Sequence, residues 1–197
     1  SLPSSPARPV LRKLLAAGLR AADPYQAILK TVSFDGSSLR VGPRTFDLLH
    51  TRRVVVVGAG KASARMAQAL ELVLGERLET GLVIVKTGHA LPTKRTTVLE
   101  ANHPIPNRAG LVATHRLLRL AQSLTSRDLL IVLLSGGASS LLPAPVSGLT
   151  LSDKQRTTQL LLRCGATINE INVVRKHLSL IKGGRLAVST SARIITL

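Results

Sequence analysis

Hydrophobic positions along the chain change period several times, and each change marks an element. Leu11, Leu14, Leu15 and Leu19 recur at the spacing of one helical face and predict an amphipathic first helix after a proline-rich lead. Asp23-Pro24 interrupts that helix, and a further helical turn or two is expected over 26–32. Residues 33–51 are punctuated by Gly and Pro and hold at most a short edge strand at 38–41. The pattern then becomes regular. An apolar strand at 53–57 runs through a small-residue turn at 58–61 into a helix at 62–74, where Met66, Leu70 and Leu74 form one stripe and Gly75 supplies the stop. Strands at 81–85 and 96–99 follow. A helix at 108–124 carries Leu111, Leu118, Ala121 and Leu124 on one face, with Asn107 as N-cap. The segment 128–134 is apolar throughout after Asp128, as befits a central parallel strand covered on both faces.

Two helix starts are signalled beyond this strand. Ser152 with Gln155, and Thr167 with Glu170, have the spacing of capping boxes, in which a hydroxyl accepts a backbone N–H and the longer side chain reaches back. The second of these helices is expected to end near 182–185, and 192–197 reads as a strand just begun. A chain that stops inside an apolar strand is read as part of a longer protein. The alternation of strand and helix argues an α/β fold with a mainly parallel sheet and helices on both faces.

Composition narrows the function classes. With 197 residues, 45% of them hydrophobic, the chain is long enough for one well-buried domain. Its net charge of +17 suggests nucleic acid or an anionic membrane, but the basic residues are scattered and aromatics make up only 2%, leaving little for base stacking. A missing acidic segment is the plainer explanation of the charge. No apolar run approaches the ~20 residues that span a bilayer. Neither nucleic acid nor membrane is therefore expected as a partner. The start is rich enough in Arg and Ser to resemble a transit peptide, yet its apolar spacing fits a helix better. Cys164 is the single cysteine, which excludes an intrachain disulfide and fits a reducing compartment such as the cytoplasm.

Candidate chemistry concentrates in two strand-to-glycine junctions, GAGKAS at 58–63 and SGGASS at 135–140. Each brings backbone N–H groups beside a helix start, a geometry that suits phosphate. The first is not a P-loop, which runs Gly-x-x-x-x-Gly-Lys and then Ser or Thr; Ala62 follows the lysine here. Nor is it a dinucleotide fingerprint, since Ser63 stands at the third glycine and the second strand ends at Lys86 without an acid. Lys61 at a helix N-terminus opposes the macrodipole, so an anionic ligand explains it better than a structural role does. In the second loop, Gly136 and Gly137 allow close approach, and Ser135, Ser139 and Ser140 either bind oxyanions or cap the turn. His103, in the loop EANHPIPN at 100–107, either contacts a substrate oxygen or closes that turn. Arg175, Lys176, Lys182 and Arg185 cluster near a Gly-Gly turn, as a solvated face or as groups recruited for transfer chemistry. No metal ligand set is evident.

Taken together, VGAGKAS at 57–63, EANHPIPN at 100–107, LLSGGASSLL at 133–142 and GATINEINVVRKHLSLIKGGRLA at 165–187 resemble the N-terminal part of class II glycerate kinases, the MOFRL-associated family. That resemblance implies a Rossmann-like N-terminal domain over 1–197, incomplete, with a C-terminal MOFRL-type domain absent from this chain. It implies ATP-dependent phosphorylation of D-glycerate to 2-phosphoglycerate, with magnesium accompanying the nucleotide. Lys61 and Arg175 would be catalytic. Gly58, Gly60, Ser135, Gly136, Gly137, Ser139 and Ser140 would bind the nucleotide phosphates, and Asn102, His103, Lys182 and Arg185 the substrate. Two departures stand out: Ala138 occupies a position where the family usually has a third glycine, and the aspartate-rich Ser-Asp-Val segment and the C-terminal domain expected after Leu197 are absent; no carboxylate pair is seen to hold magnesium. The chain alone is expected to be inactive, and a homo-oligomer is an open expectation. The alternatives are an NADP-dependent hydroxypyruvate reductase and a noncatalytic phosphate-binding module.

Overall fold

A computed structural model of the chain describes residues 7–197. The proline-rich lead through residue 6 lies outside the described residues. The first helix, α1 (Arg8–Ala21), forms as its periodicity predicts, and α2 (Pro24–Thr31) starts at Asp23, whose side chain accepts from the Tyr25 N–H. Leu11, Leu14, Leu15 and Leu19 are all exposed, however, so the apolar stripe of α1 is left largely uncovered by the described chain. The segment expected to hold one short strand forms three. β1 (Val32–Phe34), β2 (Ser38–Val41) and β3 (Arg44–Asp47) make an antiparallel meander that buries Val32 and Leu39.

The main sheet has five parallel strands: β4 (Val54–Ala59), β5 (Thr80–Lys86), β6 (Thr96–Ala101), β7 (Leu129–Leu134) and β8 (Arg193–Thr196), in the order β6-β5-β4-β7-β8. Strand periodicity divides their apolar residues between two layers. Val54, Val56, Leu129, Ile131 and Leu133 face the side of α3 (Ser63–Leu74), where the predicted stripe of Met66, Leu70 and Leu74 is buried. Val55, Val57, Leu82, Ile84, Leu130 and Val132 face α4 (Arg108–Gln122) and its Leu117, Leu118 and Ala121. Each such leucine withdrawn from water contributes roughly 1.5–3 kcal/mol. Because β4 is covered on both sides, every one of its residues is buried, and the sequence there is apolar without alternation.

The sheet order positions the site. From β4 the chain winds outward through β5 to β6, then crosses back to place β7 on the other side of β4. The carboxyl ends of β4 and β7 therefore adjoin at the point where the winding reverses, the place where open α/β sheets form a ligand crevice. The turns after both strands, 58–63 and 135–140, meet there.

Two sequence expectations need correction in the C-terminal third. The helix α6 (Leu151–Arg163) is capped by Thr150 and Asp153, not by Ser152 and Gln155. Thr150 Oγ1 accepts the Asp153 N–H at 3.1 Å, and Asp153 returns a bond to the Thr150 N–H at 2.8 Å, so an aspartate serves where a longer side chain was expected. The Thr167–Glu170 box of α7 (Ile168–His177) forms as predicted. That helix ends at His177 rather than near 182–185. Beyond it the backbone is captured by the segment after the β7 loop: Ser179 bridges to Pro145, and the Leu180 N–H donates to Ala144 O at 2.8 Å. The short helices α5 (Ala138–Leu141) and α8 (Arg185–Val188) complete the fold.

Candidate anion-binding crevice

The two small-residue turns are not two equal cradles; one is docked on the other. The Gly60 N–H donates to Ile84 O at 3.0 Å, Lys61 N–H to Gly136 O at 2.9 Å, Ala62 N–H to Ser135 Oγ at 3.0 Å and Ser63 N–H to Gly60 O at 3.2 Å. The first turn thus spends its backbone donors on protein acceptors, contrary to the expectation that both turns present bare N–H groups. Its glycines serve contact instead. A Cβ at Gly58 would lie 2.4 Å from Leu133 O, and one at Gly60, where φ is +138°, would lie 2.0 Å from Ser135 Oγ. Ser135, offered by sequence as an oxyanion ligand, accepts the Ala62 N–H and so joins the two turns.

The second turn keeps its donors. Among the described residues, the N–H groups of Gly136, Gly137 and Ser139 have no protein acceptor, while those of Ser135, Ala138 and Ser140 bond to Ala59, Ser135 and Gly137. Ser140 is buried and its hydroxyl donates to Gly137 O at 3.1 Å, so that side chain closes the turn and is not offered to a ligand. Ser139 is exposed and its hydroxyl accepts from Arg175 at 2.9 Å. The His103 ring lies over Gly137, where a Cβ would come within 2.9 Å of its Cδ2. Burial, then Lys61 and Lys86, hold His103 below its ordinary pKa and favour a neutral imidazole. Lys61 itself is exposed. Asn102 is exposed, its N–H bonded to Asn107 Oδ1 at 3.3 Å.

Beside the second turn opens a cleft of about 730 Å³, bounded by the ends of β7 and β8, by α7 and by the Gly183-Gly184 turn. Arg175 and Lys182 line it along with Ser139. Lys182 reaches back to Leu142 O at 2.8 Å, and burial, with Lys154 and Arg175 nearby, pushes it down to about 7. Arg185 donates to the carbonyls of His177 and Ser179 and so secures the end of α7. Lys154 was not singled out by sequence. It sits one turn into α6, only 8% exposed, with no partner for its Nζ, and burial followed by Arg175 pushes it down to about 8. A lone lysine in a polar helix carries no signal of burial; only tertiary packing creates it. Among the described residues no group of carboxylates, histidines and cysteines could hold a metal ion. No helix is long and apolar enough to cross a membrane.

The fold and this crevice define a doubly wound α/β domain in which free backbone N–H groups and cationic side chains lie side by side at the winding reversal. A family model described as a domain of unknown function, DUF4147, matches residues 10–197, and the chain belongs to that family, the N-terminal domain of the glycerate kinases to which its motifs pointed. A Pyrococcus horikoshii protein named glycerate 2-kinase is 38% identical over 175 residues, 89% of this chain and 39% of its own. An Agrobacterium vitis protein with a provisional hydroxypyruvate reductase name is 43% identical over 192 residues, 97% of this chain and 41% of its own. The chain thus spans about two fifths of the length of these relatives. Among solved structures, a Pyrococcus horikoshii OT3 protein superposes with a TM-score of 0.88 at 35% identity, covering 99% of this chain and 44% of that one. Glycerate kinase from Thermotoga maritima does so with 0.80 at 37% identity, covering 93% and 42%.

Proposed function

We propose that this chain supplies the phosphoryl-binding part of a glycerate 2-kinase, which transfers the terminal phosphoryl group of ATP to D-glycerate and yields 2-phosphoglycerate in the cytoplasm. The observation that carries the reading is the set of unpaired N–H groups of Gly136, Gly137 and Ser139 at the winding reversal, beside Arg175 and the loop of Lys61. Phosphoryl transfer asks a protein for positioning and charge neutralisation more than for covalent chemistry. The 136–139 turn and Lys61 take the nucleotide phosphates, and Arg175 takes charge that develops during transfer. Asn102, neutral His103 and Lys182 face the acceptor side. Gly58 and Gly60 act by letting the two turns touch. Magnesium would accompany ATP, but the side chains around the crevice are cations and hydroxyls and do not fit a magnesium site, so no step is routed through the metal. Turnover depends on a second domain, and the chain by itself is inactive.

The test is a coupled assay of ADP release that depends on D-glycerate, using the full-length protein that carries this chain. Lys61→Ala is expected to lower kcat by a factor on the order of 100 or more. Near-normal turnover of that variant would sink the assignment. A second reading, an NADP-dependent hydroxypyruvate reductase, is favoured by the names of two Agrobacterium vitis relatives at 43% and 49% identity. Against it, the turn after β4 has no N–H left for a pyrophosphate, and Lys86 stands at the end of β5 where a ribose-binding acid belongs. Added NADPH should keep its free fluorescence with a kinase and change it with a reductase.

A further inference from the structure

Lys86 is the last residue of β5, and the two neighbouring strands fix where it stands. Its register partner on β6 is Ala101, and Ile84, on the same side of β5, pairs with Ala59 at the end of β4. Ile84, Ala59 and Ala101 all belong to the layer that faces α4, so strand alternation puts Lys86 on that face of the sheet, at its carboxyl edge. The first small-residue turn is tied to the same place, because the Gly60 N–H donates to Ile84 O at 3.0 Å. On the other flank Asn102 and His103 follow Ala101 directly, and the His103 ring lies over Gly137. Lys86 therefore stands between the turn that carries Lys61 and the loop that carries His103.

Its backbone is fixed and its charge is not committed. The His89 N–H donates to Lys86 O at 2.9 Å, and the Thr87 N–H to Ala101 O at 3.1 Å. Glu100 pairs with Val85 and so points to the opposite face, where its carboxylate accepts the N–H groups of Gly88 at 2.8 Å and Ala90 at 3.4 Å. That acid clamps the turn after Lys86 and does not neutralise it. Lys86 is half-buried, and among the described residues its side chain has neither a hydrogen bond nor an ion pair. An unpaired cation on a rigid strand end, at the edge where open α/β sheets take ligands, is placed to meet an anion.

We propose that Lys86 binds the carboxylate of the acceptor, and that Glu100 is a positioning residue that holds the turn from which Lys86 reaches. The identity of the acceptor, a small hydroxy acid, rests on the phosphoryl-transfer reading. Such an acceptor carries a carboxylate that takes no part in the transfer and still needs a counter-charge. Asn102 and neutral His103 do not supply one, and Lys182 is bonded to Leu142 O. The 136–139 turn follows β7, across β4 from Lys86, which leaves the β5 flank for the acceptor. An ammonium donating to a carboxylate there forms a charge-assisted bond, stronger than a neutral one.

Calorimetric titration of the full-length protein with D-glycerate, and with D-glyceramide, whose carboxamide has nearly the same shape and no charge, reads this contact without turnover. The wild type is expected to bind D-glycerate about tenfold or more tightly than D-glyceramide. Lys86→Met should weaken D-glycerate binding by about tenfold and leave D-glyceramide binding within about twofold, so that the preference disappears. Lys86→Arg keeps the charge and should keep most of the preference. Glu100→Ala should weaken D-glycerate binding by about threefold or more, and Glu100→Gln, whose amide oxygen still accepts the two N–H groups, should restore it. Lys94→Met, which removes an exposed lysine ahead of β6 at the opposite edge of the sheet, should change nothing. Equal affinity of wild type and Lys86→Met for D-glycerate overturns the assignment. So does a Lys86→Met variant that loses both ligands to the same degree, or a wild type that does not bind D-glycerate. A wild type that binds D-glycerate through Lys86 yet releases no ADP would sink the kinase reading and leave this contact standing; an active kinase indifferent to Lys86→Met would do the reverse.

Discussion

Replacing Lys154 with methionine should make the empty chain more stable, against the usual direction of a core substitution. The side chain is 8% exposed, its ammonium has no partner, and its pKa falls from 10.5 to about 8. Each pKa unit corresponds to about 1.36 kcal/mol, so the buried charge costs at most about 3 kcal/mol relative to the unfolded chain. Methionine keeps the length of the stem and drops the charge. Its flexible thioether fills irregular space, so most of that cost should be recovered, giving a gain of about 1–3 kcal/mol. The pH dependence is the sharper signature. Between about pH 8 and 10.5 the unfolded chain binds more protons than the folded one, so wild-type stability rises with pH across that window. Below it the penalty is complete, and above it the penalty is gone. Urea denaturation of both chains at several pH values would therefore show a gap that is widest at about pH 7 and closes as alkalinity removes the charge. Destabilisation by more than about 1 kcal/mol at neutral pH, or a gap that does not narrow, would refute the account of Lys154 as a buried, unpartnered cation.

Gly60→Ala should destabilise the fold by about 2–4 kcal/mol, because it combines a positive φ with a Cβ driven against Ser135; thermal unfolding would measure it, and a loss below about 0.5 kcal/mol would mean that the two turns are not in contact. Asp128 is fully buried, holds Arg52 through two bonds of 2.9 and 2.7 Å and accepts from Thr125, which keeps its carboxyl well below the ordinary range. Asp128→Asn is expected to cost about 2–3 kcal/mol, a difference present above the unfolded carboxyl value of about 3.9 and lost only as pH falls through the depressed folded value. Denaturant melts across the acid range would test this, since a gap that closes while the carboxyl is still ionised removes the ion pair as its cause. Thr150→Ala should cost about 1 kcal/mol and Ser152→Ala almost nothing, a contrast that chemical denaturation resolves and that reverses if the helix starts two residues later.

Much of this architecture was legible because it is written in local periods. The stripe of Met66, Leu70 and Leu74, the unbroken apolar run of β7 and the Asn107 and Thr167 caps each depend on residues within a few positions of one another. Where a local rule admitted two solutions, the choice went astray. Thr150 with Asp153 and Ser152 with Gln155 are both capping-box spacings, and the backbone selected the first. Of the meander only β2 was anticipated; β1 and β3 are three and four residues long, too short to display a period.

The sequence by itself determined a parallel α/β domain, two small-residue turns after its central strands, a lysine and an arginine suited to anions, and membership of a family. It could not determine which backbone donors remain free. That depends on β4 and β7 being neighbours, a consequence of sheet order, which brings Ser135 and Gly136 to the N–H groups of Ala62 and Lys61 across more than seventy residues. Nor could it reveal Lys154. Spacing shows which residues share a helix face, but whether a charge meets water is decided by how that helix packs into the fold. Hydrogen-bond partners and desolvation are properties of the assembled fold, and in this protein they leave free backbone donors in only one of the two small-residue turns and bury one lysine without a partner.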